Sequence, residues 1–267
     1  MNNKTLELIK KYDIKAKKSL GQNFLFDDNV LQQIVYESKV DNKEVVEIGP
    51  GLGSMTYILL PVVKELTCYE VDEQMINILN QEIDDPKLTL IKENFLTSNF
   101  SEWKNKKTIV ANIPYYITSD ILFKIFDNIE WFDRAIIMVQ KEVGYRILSK
   151  VGSKTYGKLA VTLNTFSTIS KIIDVNRESF VPVPNVDSVV LEFNFNKNLK
   201  DINPKEFKSL IKKSFQFRRK TLLNNLKMFY PSEKIKKILQ DIDVISTARP
   251  QELSVEKFIL LFNLLKK

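Results

Sequence analysis

From Glu44 onward the chain alternates short β-branched runs with amphipathic stretches, and this alternation narrows the possible folds more than any other feature. Runs at 45–48, 66–70, 88–91, 108–111 and 135–139 read as strands, while helical spacing of apolar residues fills 54–64, 73–83, 118–128 and 141–150. Parallel neighbours are joined by crossovers, so strands separated by helices predict a parallel sheet covered on both faces. Two further runs, 169–175 and 188–195, have Pro182 and Pro184 but no helix between them, which predicts an antiparallel pair at the sheet edge.

From about residue 196 only helical patterns remain, at 204–216, 218–229, 231–240 and 254–265, with Pro204 and Pro231 suited to first-turn positions. The expected organisation is an α/β domain over residues 1–196 and a small all-α domain over 197–267. A length of 267 residues allows two domains at most, because single cores stop growing at roughly 250–300 residues. No run approaches the roughly 18 apolar residues that span a bilayer, and the lysine-rich start lacks the apolar core of a signal peptide. A cytoplasmic protein without membrane contact is the expectation.

Composition restricts the chemistry. The single cysteine, Cys68, excludes an internal disulfide framework and a cysteine metal cluster. The chain has no histidine, which removes Ser-His and Cys-His nucleophiles and the commonest metal ligand; no metal is expected. A net charge of +7 suits a polyanionic partner, or equally a compositional bias toward lysine and asparagine.

Three motifs follow strand ends. VVEIGPGLGS, residues 45–54, is a strand, a glycine turn and a helix start, with Gly49, Gly51 and Gly53 allowing close backbone approach to a ligand. Glu70 ends the next strand, where a carboxylate can accept both ribose hydroxyls of an adenosine cofactor. Ser54 and Met55 break the dinucleotide spacing, and Glu47 before the turn is awkward beside a pyrophosphate but compatible with a cationic group. The turn is similar to the first motif of S-adenosylmethionine-dependent methyltransferases. By that pattern Asn94 in KENFL, residues 92–96, would accept from the adenine amine.

NIPYYIT, residues 112–118, carries the acceptor chemistry. An exocyclic adenine amine is a poor nucleophile because its lone pair is delocalised into the ring. Acceptance of its hydrogens by the Asn112 side chain and the Ile113 carbonyl would localise that pair, Pro114 would stiffen the turn, and Tyr115 would stack on the base. No general base is needed before transfer, so the missing histidine is no obstacle. Elsewhere, KKSLGQNFL (17–25) is either a cover over the donor or a mobile basic tail. Phe180 in SFVPVPNVDSVV (179–190) is either a second base-stacking ring or a hydrophobic plug. Arg218, Arg219 and Lys220 in FQFRRKTLLNNL (215–226) would open a helix, where positive charge opposes the dipole and faces phosphate instead.

SLGQNFL, EIGPGLG, NIPYYIT, VQKEVGYRI, YGKLAV, FVPVPNVDSVV and FQFRRKTLLNNL occur in order from Lys17 to the C-terminus. In this series the chain resembles the small-subunit (16S) ribosomal RNA adenine N6,N6-dimethyltransferases, the KsgA family. The resemblance implies a Rossmann-like α/β methyltransferase sheet, mostly parallel with an antiparallel edge strand, and a small all-α C-terminal domain that binds RNA. It implies S-adenosylmethionine as cofactor, 16S rRNA within a partly assembled small subunit as partner, and a monomer. Carried over, Gln22, Asn23, Leu25, Gly49, Gly51, Glu70, Asn94 and Asn112 would bind the donor, and Asn112, Pro114, Tyr115 and Phe180 would form the target pocket. Tyr116 departs from the asparagine usual after Pro-Tyr. The competing readings are a large-subunit (23S) rRNA methyltransferase of the macrolide-resistance type, an RNA chaperone, and a dinucleotide oxidoreductase.

Overall fold

The computed structural model describes residues 3–197, 199 and 201–266, and its strands start within a few residues of the β-branched runs. The strands are β1 (Phe24–Leu25), β2 (Glu44–Ile48), β3 (Glu65–Glu70), β4 (Leu88–Lys92), β5 (Lys107–Asn112), β6 (Phe132–Gln140), β7 (Thr168–Val175), β8 (Phe180–Val181) and β9 (Ser188–Asn194). The helices are α1 (Lys4–Lys11), α2 (Asp28–Ser38), α3 (Thr56–Leu59), α4 (Glu73–Glu82), α5 (Thr118–Phe126), α6 (Lys141–Ile147), α7 (Lys158–Phe166), α8 (Pro204–Ser214), α9 (Leu222–Leu226), α10 (Ser232–Asp241) and α11 (Val255–Lys266).

A seven-stranded sheet runs β4-β3-β2-β5-β6-β9-β7. Strands β2 to β6 pair in parallel, and β9 returns antiparallel beside β6 in the register Met138↔Val190 and Gln140↔Ser188. This is the expected mixed sheet. After β2 the chain moves outward to β3 and β4, then returns to β5 on the other side of β2. The order reverses there, and the carboxyl ends of β2 and β5 diverge into the crevice where open α/β sheets bind ligands. The register Ile48↔Ala111 sets the glycine turn beside Asn112 in that crevice.

Burial on both faces explains the continuous apolar runs. Val45, Val46, Ile109 and Val110 are 0% exposed, and each such side chain contributes about 1.5–3 kcal/mol on removal from water. Arg134 on β6 donates to the carbonyls of Ser38 and Glu37, so a buried cation satisfies the end of α2.

Two units emerge: Met1–Gly144 with Ile169–Phe195, and Tyr145–Thr168 with Asn196–Lys267. The expected division at 196/197 left Tyr145–Thr168 with the sheet; the structure places it with the helices. Helix α7 is buried nearly all round, with Phe166 edge-on to Phe207 of α8 at 5.7 Å and the Tyr156 hydroxyl donating to the Leu253 carbonyl. A helix without a polar face gives periodicity no direction, which hides its partner.

The expected helix 218–229 is shorter, beginning at Leu222 behind the N-cap Thr221. The fully buried Asn225 amide prevents an earlier start. Its Oδ1 accepts from the Phe217 N–H at 2.9 Å, and its Nδ2 donates to the carbonyls of Phe217 and Thr221 at 3.2 Å, closing residues 217–221 into a turn.

Candidate active site

The glycine turn after β2 is shaped by its neighbours. Gly51 has φ +56°, and a Cβ there would lie 3.2 Å from the Phe24 ring, so conformation and space both favour glycine. Its N–H donates to Glu70 Oε2 at 3.1 Å, while Glu70 Oε1 accepts from the N–H groups of Val71 and Asp72 at 2.8 and 2.9 Å. Three backbone donors thus orient the carboxylate expected to hold a ribose. Burial lifts its carboxyl above the ordinary range, and the same three donors oppose that rise.

Glu47 ends deeper, 1% exposed, accepting from Thr56 Oγ1 at 2.7 Å and Cys68 Sγ at 3.6 Å on Oε2. Burial pushes its carboxyl up to about 7; the Thr56 and Cys68 hydrogen bonds oppose the shift and the Glu70 charge adds to it.

These groups line one cleft, open at its mouth, together with Gly49, Asn94, Asn112, Pro114 and Tyr115. Asn94 is exposed, and its Oδ1 already accepts from the Leu96 N–H at 3.0 Å. One oxygen lone pair and the NH2 group remain for a ligand. Val71 and Phe95 also line the cleft, and the sequence reading gave neither of them a role. Val71 is 49% exposed, and an apolar residue directly after a strand-ending carboxylate was the available signal for a ring-binding surface.

The segment 17–25 is latched rather than a tail. Lys17 Nζ pairs with Asp72 Oδ1 at 2.6 Å, Gln22 Nε2 donates to Asp72 Oδ2 at 2.8 Å, and Gln22 Oε1 accepts from the Lys17 N–H at 2.8 Å. Asn23 Nδ2 donates to the Gly21 carbonyl at 3.1 Å. Gln22 and Asn23 line the cleft, yet both amides also hold the strap itself. Leu25 reaches the cleft from β1, which pairs antiparallel with β8 in the register Leu25↔Phe180.

Across the cleft, Asn112 is the last residue of β5, and its side-chain amide takes no hydrogen bond from the described residues. Pro114, with φ −57° and ψ 132°, turns the chain into a short 3-10 segment, Tyr115–Ile117, that runs into α5. The Tyr115 hydroxyl lies 2.6 Å from Ser188 Oγ, and burial raises its phenol above the ordinary range.

Phe180 departs from its expected place opposite Tyr115. It is 1% exposed and packs in the cluster of Leu25, Leu31 and Val190. The β1–β8 pairing turns it into the core, so in this conformation it is a hydrophobic plug. Arg218, Arg219 and Lys220 also sit differently: they are exposed on the turn made by Asn225, not on the first turn of a helix, and the dipole argument does not apply. Arg218 donates to the carbonyls of Lys154 and Tyr156 at 2.6 and 3.3 Å.

The crevice therefore combines an oriented carboxylate, apolar surfaces for a flat ring, a glycine turn and an amide with open hydrogen-bonding capacity. That donor set fits an adenosine-bearing cofactor carrying a cationic end, and no group of metal-ligating side chains occurs among the described residues. No helix among them is long and apolar enough to cross a membrane.

Comparison with known proteins gives the same direction. The profile of the family described as "Ribosomal RNA adenine dimethylase" matches residues 13–267. The "Ribosomal RNA small subunit methyltransferase A" of Mycoplasma mobile is 44% identical over 246 residues, covering 92% of this chain and 96% of that protein. The protein of the same description from Thermotoga neapolitana is 40% identical over 267 residues, covering 99% and 97%. Among solved structures, a dimethyladenosine transferase from Plasmodium falciparum superposes with a TM-score of 0.78 at 28% identity, over 89% of this chain and 96% of that one. The 23S rRNA methyltransferase ErmE shares the fold, with a TM-score of 0.68 at 22% identity over 92% of this chain and 100% of its own.

Proposed function

The chain belongs to the ribosomal RNA adenine dimethylase family, and from that premise we propose that it methylates N6 of two adjacent adenosines in the 3′-terminal hairpin loop of 16S rRNA. The donor is S-adenosylmethionine, the product is N6,N6-dimethyladenosine, and the context is small-subunit biogenesis, on a partly assembled subunit in the cytoplasm. When bound, the donor supplies an electrophilic methyl group on a sulfonium.

Every other contribution comes from the chain. Glu70 would accept from the ribose hydroxyls and Val71 and Phe95 would cover the adenine, while Glu47, buried beneath the glycine turn, gains its negative charge only as pH rises through about 7. On the acceptor side, the Asn112 oxygen and the Ile113 carbonyl accept the two hydrogens of the target amine, which withdraws its lone pair from the ring and aims it into the cleft. Tyr115 supplies the stacking face. The amine becomes acidic only after it carries the new methyl, so alignment provides most of the acceleration and no base is needed in advance.

One observation carries this reading: the Asn112 amide, without a partner among the described residues, faces the same cleft as the Glu70 carboxylate. In the second unit, Arg146, Lys158, Lys212, Lys213 and Arg218 line a cleft of their own, a concentration of positive charge suited to RNA phosphates. Arg219 and Lys220 on the adjoining turn extend it. The test is mass spectrometry of 16S and 23S rRNA from unmodified small and large subunits incubated together with the protein and labelled donor. Two dimethylated neighbouring adenosines are the expected result, and label confined to 23S rRNA overturns the substrate.

A further inference from the structure

The contact between Tyr115 and Ser188 joins residues 73 positions apart through two hydroxyls, 2.6 Å from each other. Ser188 is fully buried and is the first residue of β9. Because β9 runs antiparallel to β6, it begins where the parallel strands end, opposite Gln140. That reversal alone brings Ser188 to the ligand edge of the sheet. Strand β6 separates β5 from β9, so Tyr115 reaches across about 10 Å of sheet to make the bond. Ser188 is itself braced: the Lys141 N–H donates to the Asp187 carbonyl at 2.9 Å, and Asp187 Oδ1 accepts from the Arg177 N–H at 3.2 Å.

Stacking requires only a ring face, which phenylalanine would provide as well. The second side-chain torsion of tyrosine is soft and roughly twofold, so a ring held only at its root can tilt. A tie at the para position removes that freedom. The phenol keeps its proton at neutral pH, since burial raises it, so the tie joins two neutral hydroxyls.

We propose that Ser188 is a positioning residue for methyl transfer: its hydroxyl fixes the tilt of the Tyr115 ring on which the target adenine stacks. The assignment rests on Tyr115 being the base-stacking plate, as argued above. Ser188 acts through Tyr115, and its loss changes how the base is presented without changing how donor or subunit is bound.

The experiment is single-turnover methyl transfer to unmodified small-subunit particles at saturating donor, with thermal melting and donor affinity measured in parallel. Ser188→Ala and Tyr115→Phe are each expected to slow the maximal rate about tenfold, with the half-saturating particle concentration and donor Kd within about twofold of wild type. The double variant is expected to be no slower than either single one, since both remove the same bond. Ser188→Thr keeps the hydroxyl and should restore the rate to within about threefold, while Tyr115→Ala should lose at least about a hundredfold. Full rate in Tyr115→Phe beside a slow Tyr115→Ala overturns the anchor and leaves the plate standing. Full rate in Tyr115→Ala overturns the plate and the anchor with it. A Ser188→Ala protein that melts lower but transfers normally, or additive single effects, also overturns the anchor. Should Ser188→Ala not fold, Tyr115→Phe decides alone.

Discussion

Lys17 Nζ lies 2.6 Å from Oδ1 of Asp72, an ion pair that fastens the segment before β1 to the first turn of α4. The same carboxylate accepts from Gln22 Nε2 at 2.8 Å and caps α4 through the Gln74 N–H at 3.0 Å. Burial would lift this carboxyl, but the hydrogen bonds from Lys17, Gln22 and Gln74 outweigh it and hold it below its ordinary value.

Replacing Asp72 by Asn isolates the latch, because Asn caps a helix about as well as Asp. Donor affinity should fall about tenfold, the equivalent of about 1.4 kcal/mol, and proteolysis within residues 17–25 should accelerate while the melting temperature holds. Calorimetric titration and limited digestion check this. An unchanged Kd would mean that the strap does not cover the donor.

Glu47 predicts a pH signature. Its carboxyl rises from 4.5 to about 7 in the fold, so the folded protein holds a proton that the unfolded chain releases between those values. The resulting stability is fully present below pH 4.5 and is lost as pH rises through 7, about 3 kcal/mol in all. Glu47→Gln cannot lose a proton, so its melting temperature relative to wild type should climb from pH 5 to pH 8. Parallel melting curves across that range would count against a neutral buried carboxyl.

Asn112→Ala should bind the donor with a Kd within about threefold of wild type but transfer methyl groups at least about a hundredfold more slowly, since it removes an interaction made chiefly with the reacting amine. Rapid-quench transfer of label to subunits measures the rate. Retained transfer would remove Asn112 from the chemistry.

The basic turn makes a separate prediction about RNA. Neutralising Arg218, Arg219 and Lys220 to Gln should weaken subunit binding and reduce the slope of log affinity against log salt by about 0.7–0.9 per lost phosphate contact. Donor affinity should not move. Of the three, only the Arg218 change should also lower the melting point, by about 1 kcal/mol of stability, because it alone holds the carbonyls of Lys154 and Tyr156. A salt slope equal to wild type would exclude the turn as a phosphate surface.

Local pattern determined much of this protein. The short β-branched runs set between helical spacings from 45 to 139, the glycines at 49, 51 and 53, and the proline after Asn112 each state their conformation within a few residues, because backbone sterics and side-chain periodicity are short-range. Hence the parallel strands, the glycine turn and NIPYYIT were legible in order. Tertiary structure alone decided which distant groups meet: Asp72 under Lys17, Ser188 under Tyr115, Phe180 inside the core and α7 among the later helices. Those pairings depend on strand order, on the direction of β9 and on which face of a uniformly apolar helix is covered, and no local periodicity encodes contacts between residues separated by fifty or more positions.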